Sequence, residues 1–222
     1  MPDRTAFVTG GTGGLGPAVI ESLLDVGWRV VAPVLPGDPA ADRMPGEAIT
    51  VQADLMDPGS VREAIATAAS DPSAPLRAVV NLVGGYADGQ PVAETSVDDF
   101  ERSFALNVRT LYVVTSAALA SLQRAGGGSV VCVSTRAAQR PFAGAAGYAA
   151  SKAAVLALAK VVALEGEEHG VRCNTIVPTL IATPGNRAAG IEGGTEPAEV
   201  ARVVCWLCDD ASGAVTGAEI PV

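Results

Sequence analysis

Short β-branched apolar runs alternate with longer alanine-rich stretches of helical period along most of the chain. The runs Arg4–Thr9, Trp28–Val34, Ala48–Ala53, Leu76–Val83, Ser129–Ser134, Val171–Val177 and Ala218–Val222 read as strands. Between them, Gly14–Val26, Pro58–Ala69, Val97–Arg124, Tyr148–His169 and Pro197–Asp210 read as helices. Continuously apolar strands are buried on both faces, and strands separated by helices pair in parallel. Right-handed crossovers then lead to an α/β fold with a doubly wound, mainly parallel sheet. Two stretches break the pattern. Leu35–Gly46 holds three prolines and two glycines, too broken for a long helix. The Gly-rich segment 179–196 follows the sixth strand. Ligands in such sheets bind at the carboxyl ends of strands, so this stretch is a candidate lid. No linker or repeat divides the chain, and 1–222 reads as one domain.

Composition narrows the classes of function. At 49% hydrophobic and 18% charged, the chain can bury a core without metal or disulfide staples. A formal charge of −9 argues against nucleic acid or an anionic membrane as the main partner. No unbroken apolar run reaches the ~18 residues of a bilayer span. Met1–Gly10 enters a strand directly, without a cationic stretch and an apolar run, which reads as a cytoplasmic protein. Cys132 and Cys173 lie in strand runs. Cys205 and Cys208 have redox or zinc spacing but sit in a helical pattern without a second ligand pair, so all four read as buried thiols. The single histidine, His169, ends a helix, where a cation is favoured structurally. No metal site is expected.

The first strand runs directly into Thr9-Gly-Gly-Thr-Gly-Gly-Leu-Gly16 and then a helix. Five glycines there permit close backbone approach, and a helix N-terminus offers free N–H groups to a pyrophosphate. Gly10, Thr12, Gly13, Gly14, Leu15 and Gly16 are thus candidate dinucleotide ligands, and Pro17 suits the helix start. The residue that usually reads the adenosine ribose falls near Val34, which is neither acid nor arginine. Asp38 and Arg43 lie close by in the irregular segment, so NAD and NADP both stay open.

Tyr148 and Lys152 stand four residues apart on one helix face. A tyrosine titrates near pH 10 when unperturbed, but a neighbouring ammonium and a cationic nicotinamide favour the phenolate. Tyr148 can therefore act as acid in carbonyl reduction and as base in alcohol oxidation. Lys152 and Lys160 are the only lysines in a chain that otherwise uses arginine.

Together, the glycine motif at Thr9–Gly16, Asn81-Leu-Val-Gly84, Asn107 in a long helix and Tyr148-Ala-Ala-Ser-Lys152 resemble the short-chain dehydrogenase/reductases over essentially the whole chain. The resemblance implies a Rossmann-type sheet of about seven strands with helices on both faces. It implies NAD or NADP as cofactor and hydride transfer with a small carbonyl or alcohol substrate. Position by position, Tyr148 is the acid/base. Lys152 holds the nicotinamide ribose and lowers the tyrosine pKa, and Asn107 anchors a proton-relay water. Asp54 and Leu55 match the adenine contact, and Asn81, Val83 and Gly84 the turn after the fourth strand. Pro178, Ile181 and Thr183 match the segment that meets the nicotinamide amide. The family's serine, thirteen residues before the tyrosine, is here Thr135, with Ser134 beside it. The Pro-Gly usual after the sixth strand reads Pro178-Thr179. Val83–Tyr86 and Thr183–Arg187 also resemble strings of dihydropteridine reductases. Arg136 and Arg140 read as exposed loop residues. The helices Val97–Arg124 and Tyr148–His169 match those that build family dimers, implying a homodimer or homotetramer. The rivals to a hydride-transfer enzyme are a nucleotide-binding sensor or subunit without chemistry and, more narrowly, a dihydropteridine reductase-like activity.

Overall fold

The computed structural model describes residues 2–86 and 89–222. One seven-stranded sheet runs in the order β3-β2-β1-β4-β5-β6-β7, with every pairing parallel. Its strands are β1 (Thr5–Thr9), β2 (Arg29–Val34), β3 (Ile49–Gln52), β4 (Leu76–Asn81), β5 (Gly128–Val133), β6 (Val171–Val177) and β7 (Glu219–Pro221). The helices are α1 (Gly16–Asp25), α2 (Pro58–Ala68), α3 (Val97–Phe104), α4 (Thr110–Arg124), α5 (Ala146–Gly166), α6 (Pro184–Ala188) and α7 (Pro197–Cys208). β1 has β2 on one side and β4 on the other, so the connection order reverses there and the loops beyond it diverge.

The strands divide their side chains between two cores by the two-residue pleat. Phe7, Val31, Val79 and Val130 face one layer with Val61 and Ile65 of α2, Val114 and Leu122 of α4 and Val155 of α5. Ala6, Val8, Val30, Val80 and Val131 face the other, with Val19, Ile20 and Leu23 of α1 and Val200, Val204 and Leu207 of α7. Helix starts follow local chemistry. Asp57 accepts from the Gly59 and Ser60 N–H groups at the head of α2, Ser96 accepts from Asp99 at α3, and Glu196 and Glu199 form a reciprocal box at α7.

Two expectations need correction. Val97–Arg124 is not one regular helix, because Ala105–Arg109 widens into a π turn between α3 and α4. Such widenings recur at functional sites, and this one carries Asn107. The candidate lid is not wholly irregular either: Thr183 accepts the Asn186 N–H and starts the short helix α6. In addition, Val97–Arg124 and Ala146–His169 are long and apolar enough, by length and composition, to cross a bilayer. Alanine raises their mean hydropathy without an unbroken apolar run, and here both segments pack against the sheet. Cys132 and Cys173 are buried with their sulfurs 3.9 Å apart, and all four cysteines are free. Cys205 is only partly buried. Among the described residues no acidic, histidine or cysteine group could hold a metal ion.

Candidate active site

A cleft of about 500 Å³ opens at the carboxyl ends of the central strands. Gly10, Thr12, Gly13, Gly14, Leu15 and Gly16 form one wall of it. At Gly16 a side chain would run into the carbonyl oxygens of Gly10 and Gly11, so only glycine lets α1 start this close to β1. The backbone N–H groups at that helix start are what an anionic pyrophosphate needs.

Val83 and Gly84, Ser134 and Thr135, Tyr148 and Lys152, and Pro178, Ile181 and Thr183 also line the cleft. Val34, Asp54, Leu55, Asn81 and Asn107 do not. Val34 is buried at the end of β2 beside Gln52 of β3. Asp54 caps its own turn, accepting the Met56 N–H at 2.8 Å, and Leu55 packs against the α2–α4 core. Asn81 donates to Thr115 at 3.2 Å and ties β4 to α4.

Asn107 works from behind the wall. Its Oδ1 accepts the Gly85 N–H at 2.9 Å, and its Nδ2 donates to the Gly85 carbonyl and to Ser151 Oγ, both at 3.1 Å. Gly84 is the point of convergence. A Cβ there would lie 2.7 Å from Asn107 Oδ1 and 2.8 Å from Lys152 Nζ.

The two hydroxyls after β5 separate cleanly. Ser134 Oγ donates to the Lys152 carbonyl at 2.8 Å and is spent on holding α5. Thr135 is hydrogen-bonded to the Tyr148 phenol. Its oxygen also accepts the Ala137 N–H, which leaves its proton for the phenol or for a substrate oxygen. The ammonium of Lys152 is 5% exposed and donates to the Val133 carbonyl at 2.9 Å. Burial lowers its pKa to about 8. Burial also raises the Tyr148 pKa, and the Thr135 hydrogen bond opposes this only in part. Lys152 is not one of the described causes of this shift; its desolvated ammonium donates to the Val133 carbonyl instead.

The lid lies on the glycine loop: a Cβ on Gly14 would sit 2.7 Å from Thr183 Cβ. Arg136 and Arg140 lie outside the cleft lining. Leu106, Leu180, Tyr86 and Asn186 do line it. The two leucines had no signature in the sequence, since leucines in a helix and a loop look like ordinary core or turn residues. Tyr86 stands edge-on to Tyr148, with ring centres 5.2 Å apart.

A sequence model of the family described as short chain dehydrogenase matches residues 4–192. This chain is a short-chain dehydrogenase/reductase. It is 32% identical to a (3R)-3-hydroxyacyl-CoA dehydrogenase of Canis lupus familiaris, over 98% of this chain and 93% of that protein. It is 30% identical to a 2,5-dichloro-2,5-cyclohexadiene-1,4-diol dehydrogenase of Sphingobium indicum, over 100% of this chain and 95% of the relative. A short-chain type dehydrogenase/reductase structure from Mycobacterium ulcerans superposes with a TM-score of 0.91 at 27% identity, covering 100% of this chain and 89% of that one. As a family member the chain is an NAD(P)-dependent oxidoreductase that transfers hydride to or from a small molecule. The cleft fits the cofactor's chemistry: a glycine-rich cradle at a helix N-terminus, and one buried ammonium beside the catalytic tyrosine.

The depressed Lys152 pKa has a stability consequence with a definite sign. Below about pH 8 the folded state bears the whole cost of burying the charge. Between about 8 and 10.5 the folded protein sheds the proton while the unfolded chain keeps it, so the cost fades as pH rises. Relative to wild type, Lys152→Met should therefore be more stable at pH 7 than at pH 10, by up to roughly 3 kcal/mol. Urea unfolding at the two pH values measures the difference, and a pH-independent gap would show that Lys152 titrates normally.

Proposed function

We propose that this short-chain dehydrogenase/reductase interconverts a carbonyl and an alcohol with Tyr148 as general acid/base. The single observation that carries this reading is the meeting of Tyr148 and Thr135 in a cleft walled by the glycine loop. When bound, the nicotinamide cofactor supplies or takes up the hydride. Tyr148 gives its phenolic proton to the carbonyl oxygen in reduction and takes it back in oxidation. Thr135 donates a hydrogen bond to the same oxygen in place of the family's serine. Lys152 holds the nicotinamide ribose, and Asn107 fixes the Gly85 backbone and α5 around it. Neither rival reading is favoured. A sensor without chemistry has no use for the Tyr148–Thr135 pair. The dihydropteridine-like string Thr183–Arg187 is employed in capping α6, and Asn186 binds the Ile181 carbonyl. Tyr148→Phe should lower turnover by about 10²–10⁴-fold with cofactor affinity nearly unchanged. Thr135→Val should lose about 10²-fold while Thr135→Ser stays active. A fully active Tyr148→Phe enzyme would falsify the mechanism.

For the cofactor we propose NAD(H). Thr12 of the glycine loop donates to Asp38 Oδ2 at 3.3 Å, and Asp38 Oδ1 accepts the Ala40 N–H at 2.8 Å. A carboxylate fixed beside the loop accepts ribose hydroxyls and repels a 2′-phosphate. NADH should bind at least about 10-fold more tightly than NADPH, and Asp38→Asn should narrow the gap. Equal affinities in a fluorescence titration would remove Asp38 from this role.

A cytoplasmic homodimer or homotetramer completes the proposal. Its supports are the free thiols, the acidic balance, and exposed Tyr112, Val161 and Leu164 on α4 and α5. Light scattering should give two or four times the 22.3 kDa chain mass, from protein recovered in the soluble extract.

A further inference from the structure

We propose that the outer end of the cleft binds an uncharged substrate carrying an aromatic or alicyclic ring, seated on the exposed faces of Tyr86 and Phe142. The inference deepens the hydride-transfer reading and rests on it for the position of the reacting carbonyl.

Tyr86 lines the cleft, and Phe142 stands against it just outside the lining, both largely in solvent. Tyr86 is 50% exposed and Phe142 55% exposed, with ring centres 6.1 Å apart. Single exposed apolar residues need no explanation, but a touching aromatic pair beside a catalytic phenol forms a patch with a location. Tyr86 meets Tyr148 at 5.2 Å and 81°, so a ring resting on Tyr86 holds its substituent carbonyl near the phenolic oxygen. Offset or edge-on ring pairs with centres about 4.5–7 Å apart are favourable beyond simple burial.

The rim is braced from below. Tyr86 comes from the turn after β4, and Phe142 from the loop between β5 and α5. The two loops touch: a Cβ on Gly144 would lie 3.0 Å from the Gly89 carbonyl oxygen. The Tyr86 hydroxyl also reaches toward the Gly144 carbonyl, at 3.5 Å. The rings are therefore carried by one joined rim.

Charge selects the class of substrate. Apart from the tyrosines, Lys152 is the only ionisable group among the described residues lining the cleft. It is committed to the Val133 carbonyl and lies at the nicotinamide end. Arg136 and Arg140 do not line the cleft beside Tyr86 and Tyr148. Leu106 and Leu180 add apolar surface to a lining whose other described side chains besides Lys152, such as Thr179 and Asn186, are neutral. Among the described lining residues a charged substituent would find no partner to offset its lost hydration, whereas a neutral ring gains contact.

The test compares acetophenone, 2-butanone and phenylglyoxylate as substrates for wild type, Tyr86→Ala, Tyr86→Phe and Phe142→Ala, with NADH or NADPH. Wild type should favour acetophenone over each comparator in kcat/KM by at least about 10-fold. In Tyr86→Ala and Phe142→Ala that preference over 2-butanone should collapse about 10-fold, through KM for acetophenone rather than kcat. Tyr86→Phe should keep it, because the ring and not the hydroxyl makes the contact. A preference for phenylglyoxylate, or an unchanged KM for acetophenone in both alanine variants, overturns the proposal. A second measurement separates this proposal from the reaction itself. Saturation-transfer NMR of acetophenone should show binding to Tyr148→Phe protein that is lost in the Tyr148→Phe, Tyr86→Ala double variant. Binding with no turnover by wild type would refute the reaction and leave the aromatic seat standing. Turnover without ring selectivity would refute the seat alone.

Discussion

The grip of Asn107 on Gly85 organises the catalytic end of this molecule. One side-chain amide satisfies both backbone groups of the turn after β4 and still reaches Ser151 on α5. A regular α-helix from Val97 to Arg124 would leave Asn107 in ordinary helical register, and the π turn accompanies the register that the structure adopts. Thr110, whose hydroxyl donates to the Leu106 carbonyl, closes the widened turn. Because the amide and the Lys152 ammonium both press against Gly84, the distance from β4 to α5 is set by a residue with no side chain. Tyr148 takes its height above the sheet from the same helix.

The electrostatics at that end are set by burial more than by pairing. The chain is strongly acidic overall, yet its cleft holds one buried ammonium and no described carboxylate. Desolvation makes Lys152 readier to lose its proton and Tyr148 harder to ionise, so each group is moved toward neutrality. Among the described residues, Thr135 acts to lower the phenol pKa and Tyr86 adds to the upward shift from burial. The extra methyl of Thr135, compared with a serine, restrains the rotamers of the hydroxyl that serves the substrate oxygen.

The fold and the main site were legible because both depend on local, periodic or motif chemistry. Apolar runs such as Leu76–Asn81 can only be strands buried on both faces, and the glycines before α1 leave few places for that helix to begin. Sequence spacing also brought Thr135 forward, but only geometry could separate it from Ser134, since the two hydroxyls differ in direction and not in chemistry. The π turn was hidden because its residues, Ala105–Arg109, have ordinary helical propensities, and the widening is a tertiary effect of Asn107 finding its partners. The cleft's outer wall was hidden for another reason. Tyr86, Leu106 and Leu180 line one cleft from a turn, a helix and a loop far apart in sequence. Asp38 was visible as a residue, but its bond to Thr12 depends on the path of a proline-broken segment.

Thr183 does two jobs at once, capping α6 and resting its side chain on Gly14. A five-residue helix has little stability of its own and owes much of its order to that first turn. The lid and the phosphate loop therefore share a bearing surface. Whatever lifts Thr183 from Gly14 also disturbs the start of α6, and whatever orders the loop presses on the same threonine. Order in the lid and in the phosphate loop is in this way mechanically linked through one side chain, although Gly14 and Thr183 are far apart in sequence.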